Sequence, residues 1–299
     1  MTAANLFKDP RSGREVTSPL VVSHKNCSDG FAAAFGAWTY FEGEGEYLFM
    51  THDETVPDVT GRDVYMLDIA FDVAQMERIS AQAASLTLLD HHESAANDLR
   101  HFQCRCGYVL FDLSKSAARL AWEYFHAGTP VPALIAHVED RDLLQWMLDE
   151  SEAYLASLDV GPHNFYRWAG IMKMPAQAYT RFMERGRAMR DQARKVAQEL
   201  AADAVPVVLS GQHGLMVSAP DKMHNDVGAL LVARSATFAL MWCLEKGQSR
   251  VKVGLRAAPG FDAIPLAKAF GGGGHAYAAA FRLPVERLSE LLKGSLDPA

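Results

Sequence analysis

Residues 85–95 read SLTLLDHHESA. The apolar run Leu86–Leu89 is too short for a globular helix and reads as the interior of a buried strand, so Asp90, His91 and His92 fall where that strand leaves the core. Open α/β sheets bind their ligands outside this edge. Outward from this stretch the same grammar recurs. PLVVSH (19–24) reads as a first strand and DGFAAAFGAWTYF (29–41) as a helix whose small residues pack closely on a sheet. EYLFM (46–50) and VYMLDIAF (64–71) read as further strands, and VAQMERISAQAA (73–84) as a helix between two of them. Strands alternating with helices imply a mainly parallel sheet flanked by helices, an α/β fold.

From Ser116 to about Leu158 the pattern is mostly helical. Ala176–Ala202 is rich in helix formers and mixes both charge signs, which predicts a long exposed connecting helix. After Val205 the segments VPVVLS, GLMVSA, FALMWCLE and RVKVGLRA read as strands, with helices in DVGALLVARSA and FDAIPLAKAF. The expected organisation is a catalytic domain over 1–175, a connecting helix over 176–204, and a second, smaller α/β domain over 205–299.

The 299 residues are enough for two compact domains, and an apolar content of 49% supplies a core to each. The net charge of −7 opposes long-range attraction to extended nucleic acid, which favours small anions or very short polymers over long duplexes. Four cysteines in a chain of this size make no disulfide framework. Cys104 and Cys106 lie too close for an ordinary zinc pair and read as packing residues in a strand. The first twenty residues hold no apolar stretch of signal-peptide length, and no later run approaches a membrane span. A cytoplasmic protein without a membrane partner is the expectation.

Four separated sites place acids or histidines at strand ends or in an apolar helix: SHKNCSDG (His24, Asp29), YMLDIA (Asp68), LLDHHE (Asp90, His91, His92) and LIAHVEDRDL (Asp140). Taken singly, each reads equally as a cap, a turn former or an inert histidine. Taken together, carboxylates converging on one sheet edge repel each other unless a cation joins them. Imidazole with carboxylate is a donor set for manganese, iron or zinc more than for calcium.

The DHH triplet at 90–92, after Asp68 and the first-strand Asp29–Gly30 pair, resembles the DHH phosphoesterase family. A second hallmark of that family, a Gly-Gly-Gly-His run in a DHH-associated C-terminal domain, is matched by FGGGGHAYAAAF (270–281), which follows VKVGLRA with its Arg256. The resemblance implies that Asp68 bridges two divalent metal ions and that Asp29, His91 and Asp140 complete one site. Asp142 is the rival to Asp140, and the helix-like run into Asp140 favours Asp140. Asp90 is implied as a supporting residue and His92 as the contact to the phosphate or its leaving group. The first-motif ligands depart from the family pattern: Cys27 stands where an aspartate is usual, and His24 is offset by one residue. Cys27 is either a ligand for a softer metal or an inert buried thiol.

Gly272, Gly273, Gly274, His275 and Arg256 are the expected phosphate contacts, the glycines because bare backbone amides approach an anion closely. The glycine run is expected to lead into a helix of small residues, with Tyr277 either stacking on a base or packing on that helix. By resemblance the chain is similar to oligoribonucleases and bisphosphate-nucleotide phosphatases. The expected reaction is hydrolysis of a short oligonucleotide, a linear dinucleotide or a nucleoside bisphosphate by metal-bound hydroxide. Mn2+ is the expected ion, one or two per chain, with Mg2+, Fe2+ or Zn2+ as alternatives. A nucleotide sensor with a degenerate metal site and an inorganic pyrophosphatase or polyphosphatase are the rival readings. The subunit count stays open, a homodimer among the options.

Overall fold

The computed structural model describes residues 7–247 and 249–298, and the chain divides into two compact units, one up to Arg187 and one from Ala188. In the first unit a short hairpin of β1 (Phe7–Lys8) and β2 (Glu15–Val16) precedes β3 (Pro19–His24), α1 (Ser28–Tyr40), β4 (Glu46–Met50), β5 (Asp63–Leu67), α2 (Val73–Gln82) and β6 (Ser85–Asp90). There follow α3 (Glu93–Asp98), β7 (Gly107–Phe111), α4 (Ala117–Phe125), α5 (Ala133–Asp142), α6 (Ser151–Leu158), α7 (Phe165–Met172) and α8 (Ala176–Ala202).

Five of these strands form one fully parallel sheet in the order β4-β3-β5-β6-β7. Its central strands are apolar on both sides because both faces are covered. Leu20, Val22, Val64, Met66, Leu86 and Leu88 pack with Met76 and Ile79 of α2 on one face. Val21, Tyr65, Leu67 and Leu89 pack on the other with the alanines of α1 and α4. Small side chains let those two helices lie close: Ala33, Ala34, Ala37, Ala117 and Ala121 are all fully buried.

Two consequences position the site. The strand order reverses direction between β3 and β5, so the crevice of a doubly wound sheet lies at the carboxyl ends of these two strands. Ser23 is in register with Leu67, and Leu67 with Leu89. The next residue on each strand is therefore polar at one common level: His24, Asp68 and Asp90. Cys104 and Cys106 pack against the core beneath α2, but they lie in the loop before β7 and not in a strand. All four cysteines are free.

The expected long helix is α8, and the division between units falls inside it. The second unit contains β8 (Val205–Leu209), β9 (Gln212–Ser218), α9 (His224–Val232), β10 (Phe238–Leu244), β11 (Arg250–Ala257), α10 (Ile264–Ala269), β12 (Gly273–His275), β13 (Ala278–Pro284), α11 (Leu288–Leu292) and β14 (Ser295–Leu296). They build a mixed seven-stranded sheet, β12-β13-β11-β10-β9-β8-β14.

The small-residue helix expected after the glycine run is instead strand β13. Burial along AAAFRLP alternates, with Ala279, Phe281 and Leu283 facing the core. A period of two with cross-strand partners on both sides overrides the helix preference of three alanines. Among the described residues no helix is long and apolar enough to cross a membrane.

Candidate active site

At the carboxyl edge of the parallel sheet, Gly30 lets the start of α1 close onto the end of β3. A Cβ at that position would stand 2.7 Å from the His24 carbonyl oxygen and 2.9 Å from Asp68 Oδ2. The glycine after Asp29 is thus required by close approach to the cluster itself. Asp68 follows β5 with φ at +63°, a left-handed conformation that costs a non-glycine residue of order 1 kcal/mol or more. That turn brings its buried carboxylate into the crevice. Its two oxygens face opposite ways: Oδ1 lies 3.4 Å from His91 Nε2, and Oδ2 lies 3.8 Å from His24 Nδ1.

His91 Nε2 is the hub. Besides Asp68, it lies 3.6 Å from Asp29 Oδ2 and 3.4 Å from Asp142 Oδ2. Burial alone would push the His91 imidazolium down, but its hydrogen bond to Asp68 and the charges of Asp29 and Asp142 outweigh this and hold its pKa up at about 9. Asp29 is pushed well above the usual carboxylate range, first by complete burial and then by Asp68 and Asp142. Its carboxylate also accepts the amides of Ala117 (2.8 Å) and Ala118 (3.0 Å), which fixes it at the start of α4.

Asp90 is fully buried and organises the pair of histidines after it. Its Oδ1 accepts the amides of His91 (2.7 Å) and His92 (3.2 Å) and the Nδ1–H of His92 (2.7 Å). That bond holds His92 above its ordinary pKa and leaves Nε2 as the free ring nitrogen. Burial pushes His24 down, so its imidazole is neutral and able to ligate, whereas burial and then Asp68 push the Cys27 thiol up. A thiol held protonated in this way must give up its proton before it can ligate.

The structure corrects the choice between the two aspartates of α5. Residues two apart on a helix point about 200° apart, so only one can face the crevice. That one is Asp142. Asp140 instead turns to the following loop, where its carboxylate accepts the amides of Met147 (2.7 Å) and Leu148 (3.3 Å). His52, which sequence reasoning passed over, also borders the site. Its ring lies 5.1 Å from that of His24 and 6.4 Å from that of His92, centroid to centroid. Its Nδ1–H donates to the Ala70 carbonyl (3.0 Å), leaving Nε2 free. The available signal was its place just past β4, the same strand-exit rule that identified the others.

The donors fit a divalent cation. Three overlapping groups offer ligand atoms within 4.8 Å of one another: His24, Cys27 and Asp68; Asp68, His91 and His92; Asp29, His91 and Asp142. His24 Nδ1, Asp68 Oδ2, Asp90 Oδ2 and Asp142 Oδ2 are buried without any hydrogen-bond partner. Buried acceptors left in this state are costly unless a cation meets them. Asp68 belongs to two of the groups.

In the second unit Arg256, Ala278 and His275 are in register across β11, β13 and β12, so their side chains share one face of the sheet. The Arg256 stem runs against Gly228 of α9, where a Cβ would come within 2.5 Å of its Cγ. Its guanidinium is held by the Asn225 side chain and the Leu255 carbonyl. His275 is exposed. The glycine run is a tight hairpin rather than an open loop. A Cβ on Gly272 would overlap the Ala280 carbonyl, and Gly274 has φ at +139°. The Gly272 amide is bonded to the Ala267 carbonyl (2.9 Å), which removes it from the expected phosphate contacts. Gly273, whose Cβ position is open, still fits close approach by a ligand.

Residues 220–295 match the DHHA1 domain family. An uncharacterized protein, R106, of Acanthamoeba polyphaga mimivirus is 22% identical over 337 residues, covering 99% of this chain and 79% of that one. Among solved structures, the pGpG-specific phosphodiesterase PggH of Vibrio cholerae superposes with a TM-score of 0.55 at 15% identity, over 93% of this chain and 97% of its own. RecJ of Thermus thermophilus in complex with Mn2+ superposes with a TM-score of 0.51 at 14% identity, over 94% of this chain and 53% of its own.

Proposed function

We propose that this chain, a DHH-family protein by its fold and its DHHA1 domain, is a divalent-metal-dependent phosphoesterase acting on short oligonucleotides or small nucleotide phosphoesters. One observation carries the reading. Three carboxylates and an imidazole from four separate elements meet around His91 Nε2, with unpaired buried oxygens left beside them. Asp29, Asp68, His91 and Asp142 would hold one ion, and His24 with the second oxygen of Asp68 would hold another. Such ions, Mn2+ foremost, would supply the charge that lowers the pKa of a water towards neutrality and offsets the phosphoryl oxygens.

The chain's own residues do the rest. Asp90 accepts the His92 Nδ1–H and favours the charged ring, so that as an imidazolium His92 would donate its Nε2–H to the ester oxygen that leaves. His52, fixed by Ala70 in the same tautomer sense, lines the rim beside it. In the second unit Arg256, oriented by Asn225, offers paired donors to a phosphate, and His275 lies on the same face. The likeness to a pGpG-specific phosphodiesterase supports a short nucleotide phosphodiester as the substrate class.

The test is a panel of short oligonucleotides, cyclic dinucleotides and adenosine bisphosphate, each incubated with Mn2+, Mg2+ or Zn2+. Cation-dependent release of nucleotide product is the expected result. The raised Cys27 thiol favours one rival, a sensor that binds nucleotide with an incomplete second metal position. Thermal stabilisation by a panel member without turnover under any of the cations would replace the hydrolase with that sensor.

A further inference from the structure

The face of the second sheet that carries Arg256 does not end with it. Arg250, Lys252, Gly254 and Arg256 alternate along β11 with the core residues Val251, Val253 and Leu255 and so lie on the opposite face, Gly254 buried there as well. In register with them on β13 are Pro284, Arg282, Ala280 and Ala278. Gly273 and His275 of β12 continue the same two rows outward. Alternate residues of a strand recur about every 7 Å, so this face presents a line of cations roughly 20 Å long from Arg250 to Arg256.

Beyond helix α9 its floor is made of Ala280 and Gly273, whereas Gly254 is buried beneath the His224 ring. Helix α9 covers the face over β10, where Ala239 and Met241 pack beneath it, and over the Gly254–Arg256 stretch of β11, where His224 lies on Gly254 and the Arg256 stem on Gly228. Over β13 and β12 the residues of this face are half-buried or exposed. A cavity of about 730 Å³ opens at the far end of the line, lined by Arg250, Arg282, Ala280 and the turn from Gly271 to Gly273. Two acids counter the cations: Asp221 pairs with Lys252 at 2.8 Å and Glu245 with Arg282 at 2.6 Å. Among the described residues Arg250 meets no carboxylate. The face is therefore net positive on a chain whose net charge is −7.

We infer that Arg250 and Arg282, beside the open backbone at Gly273, form a second anion subsite, which takes a further phosphate of a substrate already anchored at Arg256. The inference rests on the phosphoesterase reading above and narrows it: the substrate is a single-stranded oligonucleotide with several phosphates, and a nucleoside bisphosphate fills only part of the face. The flat glycine and alanine floor suits a backbone lying along the strand direction, and cations spaced along it track that backbone without reading bases.

Binding of 5′-phosphorylated di- and tetra-adenylate, each carrying a 3′ fluorophore, is measured by anisotropy with the full-length chain. The wild-type protein is expected to hold the tetranucleotide about tenfold more tightly than the dinucleotide at low salt, and R250E/R282E to bring that ratio close to one. Between wild type and R250A/R282A, the slope of log affinity against log salt for the tetranucleotide is expected to shrink by about 0.7 for each phosphate that the variant no longer neutralises. R250K/R282K, which keeps the charge, should restore most of the ratio, and a wild-type circular-dichroism spectrum of R250E/R282E separates loss of the subsite from unfolding. An unchanged length ratio in R250E/R282E, or no length preference in the wild type, overturns the subsite. Absence of turnover in the substrate panel would sink the hydrolase while leaving this binding ratio to decide the subsite independently.

Discussion

At the scale of single residues, His91 stands among three carboxylates with one ring nitrogen, and in metal-free protein a proton is what balances them. With its pKa held up at about 9, His91 is an imidazolium at neutral pH, yet only the neutral ring can ligate. Metal uptake should therefore release at least one proton per ion bound through His91. Calorimetric titration of Mn2+ at pH 7.5 in Pipes and in Tris, which differ in ionisation enthalpy, measures that number directly. Because protons compete with the ion, affinity should rise with pH until about pH 9 and then level off. A pH-independent affinity would remove His91 from the ligand set. The two aspartates of α5 separate in the same way. Asp142→Asn should lower bound Mn2+ and turnover together while leaving the melting temperature nearly unchanged. Asp140→Ala should leave two loop amides without their acceptor and destabilise the fold by about 1–3 kcal/mol, read as a shift in denaturation midpoint.

At the scale of elements, what the sequence made legible was whatever depended on local period. Leu86–Leu89 announced a buried strand, and the strand exits placed Asp29, Asp68 and His91 at one edge before any contact was known. The errors came where a three-dimensional choice decided. Asp140 and Asp142 sit in one helical turn, and only packing of α5 selects which of them faces the crevice. AAAFRLP carries a helix-forming composition, but its partners β11 and β12 impose a strand. His52 obeyed the strand-exit rule and was missed because a lone histidine in an exposed loop gives no further signal. The DG pair was legible as the opening of a helix after β3, yet the need for glycine there is tertiary. Gly30→Ala would push a Cβ against the His24 backbone of β3, which cannot give way, and against Asp68 Oδ2, whose displacement would disturb the cluster. The expected outcome is a loss of Mn2+ affinity of at least tenfold, about 1.4 kcal/mol, together with a lower melting temperature, whereas Gly61→Ala, at a position open to solvent, should leave Mn2+ affinity untouched.

At the scale of the whole molecule, the parallel sheet separates the edge that would hold metal from the hairpin that secures the opposite end. Arg14 of the hairpin segment pairs with Asp63, the first residue of β5. Asp9 is buried and accepts hydrogen bonds from Tyr124 (2.6 Å), Tyr65 (3.1 Å) and the amide and hydroxyl of Ser12 (2.8 and 2.7 Å). Burial by itself would raise this carboxyl, but the Tyr124, Ser12 and Tyr65 donors outweigh burial and hold it below its ordinary 3.8. The sign follows from linkage: a carboxyl with a depressed folded-state pKa contributes stability that is fully present above its unfolded value and is lost as pH falls through the folded one. Asp9→Asn keeps one acceptor oxygen and loses the charge, so at pH 7 it should be less stable than wild type by about 1–2 kcal/mol in urea unfolding. That difference should hold down to about pH 5 and shrink towards zero below the ordinary carboxylate pKa, because the wild-type group is then neutral too. None of the partners of Asp9 belongs to the cluster around His91, so Mn2+ affinity at pH 7 should be the same in both proteins. A stability difference that persisted unchanged at pH 2.5 would mean that Asp9 acts through shape alone and that its charge contributes nothing to anchoring the hairpin.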